Sequence, residues 1–320
     1  MFEYKRFLNG LLILCCCWLL VGCSAQPASS QGSGVFYETL DDTGYTVRLN
    51  HKPQRIVSLN QGIDEILVDV VEPKRIAALS YLSIDEGLSA VADKAAVVPV
   101  ILRDRNAEAI IALRPDLILM SDSIPEEVRT TLREMGYVVH VSRSPHNLNE
   151  AMQRVQRIAD LVGEGKKGEV VVKQMQVKLS KVKSVVDKIP EKERKVIIAF
   201  SFSGAFGRAD NMFHDMCVQA GVINGAARAG IAKNHPLSKE EIVQVNPDVL
   251  LMPTWSSDEK DDSLAYCEEV RNDPAYQTIK AIQNNQLVFV SDRYRYCVSQ
   301  YAADSVTKIA QVVYPEYFAK

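Results

Sequence analysis

The chain has 320 residues, of which 47% are hydrophobic and 24% charged, and its formal net charge is -3. This balance is typical of a globular protein and gives no indication of nucleic-acid binding. The length exceeds the usual size of one hydrophobic core, so two domains are expected.

The amino terminus has the pattern of a secretory signal peptide, predicted over residues 1–23. Two basic residues precede an apolar run at 7–21, which is shorter than the roughly 20 residues that a membrane-spanning helix needs. The run ends in LVGC, which resembles a bacterial lipobox, so Cys23 is predicted to carry a lipid. The Ser- and Gly-rich residues 24–34 predict a flexible tether. We therefore expect the mature chain outside the cytoplasm, anchored to the membrane.

Three cysteines remain in the mature body, Cys217, Cys267 and Cys297. An odd number permits at most one internal disulfide. The alternative is that all three are small buried hydrophobic residues, since free cysteine is among the most buried residue types.

Short apolar runs rich in Val and Ile recur along the mature chain between helical patterns. They lie at 55–59, 76–79, 117–120, 138–141, 195–200, 249–252 and 287–290. Runs that do not alternate with polar residues are typical of strands buried on both faces of a parallel sheet. The fold class is therefore predicted as α/β.

A long amphipathic helix is predicted between the two sets of strands, within residues 164–190. Its apolar positions fall at helical spacing and its lysines on other faces, and Pro190 ends it. We interpret it as a rigid strut between an amino-terminal lobe (35–163) and a carboxy-terminal lobe (191–320).

An internal repeat supports two lobes of one design. Residues 107–120 (AEAIIALRPDLILM) align without gaps to 239–252 (KEEIVQVNPDVLLM), with six of fourteen positions identical. Each copy predicts a short helix with Glu108 or Glu240 in its first turn, a proline that stops the helix, and a buried strand. Ligands of open parallel sheets collect beyond the carboxyl ends of the strands, so the repeat also predicts a cleft between the lobes.

The mature chain resembles the substrate-binding proteins of importers for ferric siderophores, haem and cobalamin. The resemblance rests on PQRIVSL at 53–59 followed by DEIL at 64–67, on IALRPDL at 111–117, on NPDV at 246–249, and on YPE at 314–316. It implies two lobes bridged by one rigid helix, a shallow cleft and little closure. It also implies that one surface glutamate in each lobe docks on an ABC permease dimer and its ATPase; by motif match these are Glu108 and Glu240.

Loops that follow the predicted strands provide the candidate ligand contacts. They are Tyr81, Arg103, Arg105, Ser121, Phe206, Arg208, His235, Trp255, Arg293, Tyr294 and Arg295. Guanidinium groups suit carboxylate or catecholate oxygens, and aromatic faces cover planar groups. An anionic ferric siderophore fits this set best. The alternatives are haem, with His235, Tyr294 or Tyr296 as an axial ligand, and cobalamin, with Tyr81 as an aromatic contact.

A lipid-anchored hydrolase is the main alternative from a different functional class, but the sequence lacks the motifs of such an enzyme. The nucleophile-elbow pattern GxSxG is absent, as are HExxH, paired CxxC and Walker patterns, and the five histidines are scattered. We therefore expect no catalytic residues, no metal site, no cofactor and no enzyme activity, and a monomer that binds a small metal chelate. A surface receptor that senses a ligand without transporting it stays open.

Overall fold

The computed structural model describes residues 34–230, 236–258 and 261–318. The predicted signal peptide, Cys23, all of the predicted tether but its last residue, and His235 lie outside the described residues. The described chain opens with an antiparallel hairpin of strands β1 (Tyr37–Leu40) and β2 (Thr46–Leu49).

The first lobe is built on a parallel five-stranded sheet in the order β5-β4-β3-β6-β7. Its strands are β3 (Ile56–Ser58), β4 (Ile76–Ser80), β5 (Ile101–Leu102), β6 (Leu117–Ser121) and β7 (Val139–Ser142). Its helices are α1 (Gln61–Val70), α2 (Ala92–Ala95), α3 (Ala107–Ile111), α4 (Glu126–Glu134) and α5 (Leu148–Leu161), with 3-10 turns at Pro73–Arg75 and Tyr81–Ile84. Neighbouring residues of β3 belong to separate hydrophobic cores: Ile56 packs with residues of α1 and α5, and Val57 packs with residues of α3 and α4. The unalternating apolar runs are explained by this burial on both faces.

The second lobe has its own five-stranded sheet, ordered β10-β8-β11-β12, with β9 antiparallel to β8. Its strands are β8 (Val196–Ser201), β9 (Gly204–Phe206), β10 (Ile223–Asn224), β11 (Val249–Met252) and β12 (Leu287–Phe289). Its helices are α7 (Met212–Gln219), α8 (Gly225–Arg228), α9 (Lys239–Val245), α10 (Ser263–Asn272), α11 (Lys280–Gln283), α12 (Asp292–Arg295), α13 (Ala302–Val313) and α14 (Pro315–Phe318), with 3-10 turns at Glu191–Glu193 and Pro274–Tyr276. The predicted α/β class with two parallel-sheet lobes is confirmed.

Helix α6 (Gly165–Val186) lies between the lobes in sequence and is 22 residues long, about 33 Å. It packs against α5 on one side and α13 on the other. A Cβ at Gly168 would lie 2.5 Å from Ala159 Cβ, so this glycine permits the close approach of α6 to α5. The buried side chains Met175, Val182 and Val186 continue the same face.

The repeat predicted from the sequence is present as two equivalent helix–strand units, α3 with β6 and α9 with β11. Glu108 and Glu240 are each the second residue of their helix and are exposed. Each helix is followed by a left-handed residue directly before the proline: Asn246 (φ 48°) caps α9, and Arg114 (φ 47°) lies three residues after the end of α3. Both sheets therefore receive their second central strand through the same backbone turn.

The repeated aspartates perform the same structural task in both lobes. The Asp116 carboxylate accepts hydrogen bonds from the backbone N–H groups of Gln54 (2.6 Å) and Arg55 (2.8 Å), just before β3. Asp248 accepts one from Val196 N–H (2.8 Å), the first residue of β8. The Asp of each copy thus satisfies the amino end of the neighbouring central strand.

A second connection joins the lobes besides α6. The segment after α12 returns to α1 of the first lobe, where Ser299 donates to the Glu65 carboxylate and Gln300 Nε2 donates to Glu65 O at 2.7 Å. Tyr301 Oη donates to Asp69 at 2.9 Å. Burial raises the pKa of Glu65. This polar network lies in the interior and resists relative motion of the lobes.

Candidate functional site

The candidate site lies where loops at the carboxyl ends of both sheets meet. A cavity of about 280 Å³ is lined by residues 144–146 after β7, by residues from 206 to 213 between β9 and α7, and by 295–298 after α12. Three of the predicted ligand contacts line it, namely Phe206, Arg208 and Arg295. The first lobe contributes one wall and the second lobe the others, as the repeat predicted.

One wall of this cavity is aromatic. Phe206 stacks on Tyr296 with ring centroids 5.3 Å apart and planes 24° from parallel, and it tilts against Phe213 at 5.2 Å. Strand β9 holds Phe206 in place by pairing with Ala199 of β8. The Tyr296 side chain is 43% exposed, so it offers a ring face to a ligand.

The two arginines of the cavity have different roles. Arg295 is buried, and its guanidinium donates to Met252 O (2.8 Å) and Phe200 O and pairs with Asp292 at 3.1 Å. It therefore ties the ends of β8 and β11 together, and burial lowers its pKa. The Arg208 side chain is 35% exposed and pairs with Asp210 at 2.8 Å. Arg208 is accordingly the cation that can reorient toward a ligand.

A second recess of about 250 Å³ adjoins the cavity and shares residues 144–146 with it. It is lined by three arginines, Arg143, Arg154 and Arg157. Arg154 is buried; its Nε donates to Ser142 Oγ (3.1 Å) and its Nη2 to Asn60 Oδ1 (2.9 Å). Burial lowers the pKa of Arg154 to about 10, and no carboxylate of the described residues pairs with it. Two carboxylates also line the recess, Asp42, which pairs with Arg157 at 3.2 Å, and Glu150, so the three arginines leave an excess of one positive charge.

The remaining predicted contacts lie elsewhere on the carboxyl edges. Trp255 reaches the first lobe, where its Nε1 donates to Asp85 Oδ2 at 2.9 Å. Arg103 lies 5.9 Å from the centre of the Tyr81 ring, and Arg105 is exposed. Ser121 is buried, and its Oγ lies 2.6 Å from Ser123 Oγ. Arg293 and Tyr294 are half-buried. None of these residues lines the cavity, and their contact with ligand stays a prediction.

Sequence reasoning missed the loop at residues 143–146. This loop follows β7 as the other candidate loops follow their strands, so the same rule would have found it. Arg143 of this loop lines the recess, and His146 lines both the cavity and the recess. His146 Nδ1 lies 3.6 Å from the Glu150 carboxylate.

The described part of the chain contains potential metal ligands and three cysteines. No group of three or more His, Cys, Asp or Glu side chains is arranged there to hold a metal ion. Cys217, Cys267 and Cys297 are unpaired and buried, the second of the two alternatives left open by the sequence. Within the described residues, no helix combines the length and apolar character needed to cross a bilayer.

Comparison with known proteins identifies the family. The family described as periplasmic binding protein matches residues 56–294, which span both sheets, α6 and the cavity loops up to Tyr294. The chain belongs to the periplasmic binding protein family.

Relatives within the periplasmic binding protein family are distant. A cobalamin-binding protein of Halobacterium salinarum is 24% identical over 273 residues, covering 82% of this chain and 72% of the relative. The ferric-anguibactin-binding protein FatB of Vibrio anguillarum is 24% identical over 311 residues, covering 90% and 91%. The apo structure of the periplasmic haem-binding protein RhuT from Roseiflexus sp. RS-1 superposes with a TM-score of 0.68 at 22% identity, covering 82% of this chain and 99% of RhuT. The fold is therefore that of this family of binding proteins.

Proposed function

We propose that the protein is a lipid-anchored substrate-binding protein that captures an anionic ferric siderophore between its lobes and delivers it to the permease of an ABC importer. The observation that carries the proposal is the interlobe cavity, in which the Phe206–Tyr296 stack lies beside Arg208. Relatives named for cobalamin and ferric anguibactin support a metal chelate as the class of ligand.

The chemistry of the cavity favours an anionic chelate over a bare ion. The aromatic stack can cover a planar catecholate or heterocycle, and Arg208 can form charge-assisted hydrogen bonds with its oxygens. The adjoining arginine recess can take further anionic groups. Both spaces are near the lower end of the size range of small-molecule pockets, so a chelate would occupy both.

Haem is the second candidate because Tyr296 presents a phenol in the cavity. Burial raises the pKa of Tyr296, so the phenolate that ferric haem iron would take as an axial ligand is harder to form in the cavity. This favours a ferric siderophore, whose iron is held by the chelator and needs no phenolate from the protein.

The membrane anchor and the importer belong to the same proposal. Cys23 would carry the lipid, and Glu108 and Glu240 would contact the permease subunits. Two relatives of Bacillus subtilis, the putative ABC transporter substrate-binding lipoprotein YhfQ and the uncharacterized ABC transporter substrate-binding lipoprotein YvrC, support a lipid anchor and an importer in general.

A parallel titration tests the ligand. Trp255 is the only tryptophan after the predicted signal peptide, so its fluorescence is a single reporter close to the interlobe contact. We expect quenching by ferric catecholate or mixed-ligand siderophores at lower concentration than by haem or cobalamin. A response to none of them would contradict the chelate proposal.

Two variants locate the binding site. Arg208→Gln should weaken siderophore binding about tenfold, because it removes one charge-assisted hydrogen bond in a partly buried site. Arg48→Gln is the matched control, since Arg48 lies on β2 with its side chain 60% exposed and pairs with Glu38. Equal affinities of both variants and the wild type would place the ligand outside the cavity.

A further inference from the structure

Helix α6 has an outer stripe in which lysine and valine alternate. Lys166, Val170, Lys173, Val177 and Lys181 follow one another at spacings of four, three, four and four residues, which places them on one face. All five are exposed, and Val170 and Val177 are 57% and 42% exposed. The buried residues Gly168, Met175 and Val182 mark the opposite face.

The charge of this stripe is not neutralised by the protein. The other lysines of α6 are paired: Lys167 with Glu164 (3.4 Å), Lys178 with Asp304 (2.7 Å) and Lys183 with Asp187 (2.9 Å). The three lysines of the stripe pair with no carboxylate among the described residues. Residues 165–195 contain ten Lys and Arg against four Asp and Glu, whereas the whole chain has 37 against 40. The positive charge is therefore concentrated along this helix.

The described chain begins beside the same helix. The Phe36 ring lies against Gly163, where an added methyl group would be 2.8 Å from Phe36 Cζ, and α6 starts two residues later. Phe36 is the thirteenth residue after the predicted lipid site at Cys23, so the intervening chain can reach at most roughly 45 Å. A chain anchored there keeps the amino end of α6 close to the bilayer, at a high effective concentration.

We infer that the Lys166–Lys181 stripe of α6 binds the surface of a bilayer that contains anionic lipids. The lysines contact the headgroups, and the two valines rest at the boundary between headgroups and acyl chains, as in other amphipathic surface helices. This contact goes beyond ligand capture and needs neither the chelate nor the permease.

The position of α6 in the fold determines which side of the protein would face the bilayer. At its start, Glu164 pairs with Arg75, the residue before β4, at 2.7 Å. At the end of α6, Val186 packs on Gly221. The Gly221 carbonyl accepts a hydrogen bond from Tyr314 Oη, and Tyr314 Oη accepts one from the N–H of Lys195, the residue before β8. Both ends of α6 thus lie at the amino edges of the sheets, while the cavity lies at the carboxyl edges. A protein resting on α6 turns its cleft away from the bilayer, and it must release this contact before a permease can reach the cleft.

Vesicle co-sedimentation tests the inference with the chain from Ser24 onward, which contains the compact unit Phe36–Lys320 but no lipid. We expect partition onto vesicles of phosphatidylglycerol and phosphatidylcholine, little partition onto phosphatidylcholine alone, and a decrease as salt rises. The triple variant Lys166→Gln, Lys173→Gln, Lys181→Gln should lower the partition coefficient at least about tenfold.

The matched control removes three lysines from the other sides of the same helix: Lys167→Gln, Lys178→Gln, Lys183→Gln. It has the same net charge and should keep most of the binding, and circular dichroism verifies that both variants fold. Equal losses in the two variants, or no binding of the wild type to anionic vesicles, would overturn the inference. A dimer in gel filtration that only the stripe variant abolishes would assign the stripe to a second copy of the chain instead.

Discussion

Asp64 is a carboxylic acid placed where its charge is unfavourable. It lies in α1 with no exposed surface, and its Oδ2 accepts from Ser80 N (3.1 Å) and Ser80 Oγ (2.5 Å). Burial raises the pKa of Asp64 to about 7, against the lowering effect of the Ser80 hydrogen bonds. The folded protein therefore binds a proton at pH values where the unfolded chain has lost it.

The sign of the pH dependence follows from this upward shift. The stability contributed by protonated Asp64 is fully present below about pH 4 and is lost as the pH rises through about 7, a change of about 4 kcal/mol. Asp64→Asn mimics the neutral acid, so we predict that it flattens the profile and raises the free energy of unfolding at pH 8 by about 1–3 kcal/mol. Urea unfolding from pH 4 to 8 measures both effects.

Some slope should remain in the Asp64→Asn variant because burial also raises the pKa of Glu65. A variant that is less stable than the wild type at pH 8 and keeps the full slope would show that Asp64 is ionised in the folded protein. The burial of Asp64 was not predictable from the sequence, since two acids in the first turns of an amphipathic helix are more often exposed than buried.

The repeated helix–strand unit offers a comparison at the scale of the element. Both copies need a left-handed residue before the proline, but one uses Arg114 and the other Asn246. Both residues have a Cβ that crowds the carbonyl oxygen in this conformation, but asparagine tolerates it better because its short polar side chain can form local hydrogen bonds. Asn246 also accepts a hydrogen bond from Lys280 N–H through its Oδ1 at 3.0 Å.

Exchanging the two residues should move stability in opposite directions. We predict that Arg114→Asn raises the free energy of unfolding by about 0.5–1 kcal/mol, and that Asn246→Arg lowers it by more than about 1 kcal/mol. Guanidinium denaturation measures both changes in the free energy of unfolding, and m-values equal to that of the wild type show that only stability has changed. Destabilisation by Arg114→Asn would mean that the arginine side chain makes a contribution larger than its strain.

Elements were predictable from the sequence where one local rule decides them. Seven apolar runs became strands because burial on both faces leaves no polar alternation, and α6 followed from its spacing and Pro190. The site was less predictable because its walls come from distant loops. The rule of strand ends predicted the edge of each sheet at which the candidate cavity lies, but it did not tell which loops meet there. Arg295 illustrates the difficulty. Its position after a strand suggested a ligand contact, but its guanidinium donates to carbonyl groups of β8 and β11, and only the folded structure reveals these partners.

At the scale of the whole molecule, α6 and the segment from Cys297 to Tyr301 both join the lobes. The segment binds Glu65 and Asp69 of α1 through buried and partly buried hydrogen bonds. Further contacts are the hydrogen bonds from Leu148 N–H to Asp215 and from Trp255 Nε1 to Asp85. Separating the lobes widely would expose the buried carboxylate of Glu65, so the arrangement favours small relative movements.

A binding protein whose lobes move little must contact a permease through a surface that exists before the ligand binds. Glu108 and Glu240 fit that need, because the repeat places one exposed carboxylate at the start of an equivalent helix in each lobe. Their docking role is a prediction from the resemblance, and the lobes supply matched controls. Glu126 on α4 and Glu268 on α10 are exposed helix glutamates outside the repeat, each next to an arginine one turn away.

We predict that Glu108→Ala with Glu240→Ala abolishes uptake of the ligand by cells while the purified protein binds it with unchanged affinity. The reason is that permease contact requires both carboxylates at once, whereas neither residue lines the cavity. Glu126→Ala with Glu268→Ala removes the same charge and should transport normally. Loss of affinity in the first double variant would refute the separation of capture from docking, and loss of uptake in the second would show that general surface charge, not the repeated pair, recruits the permease.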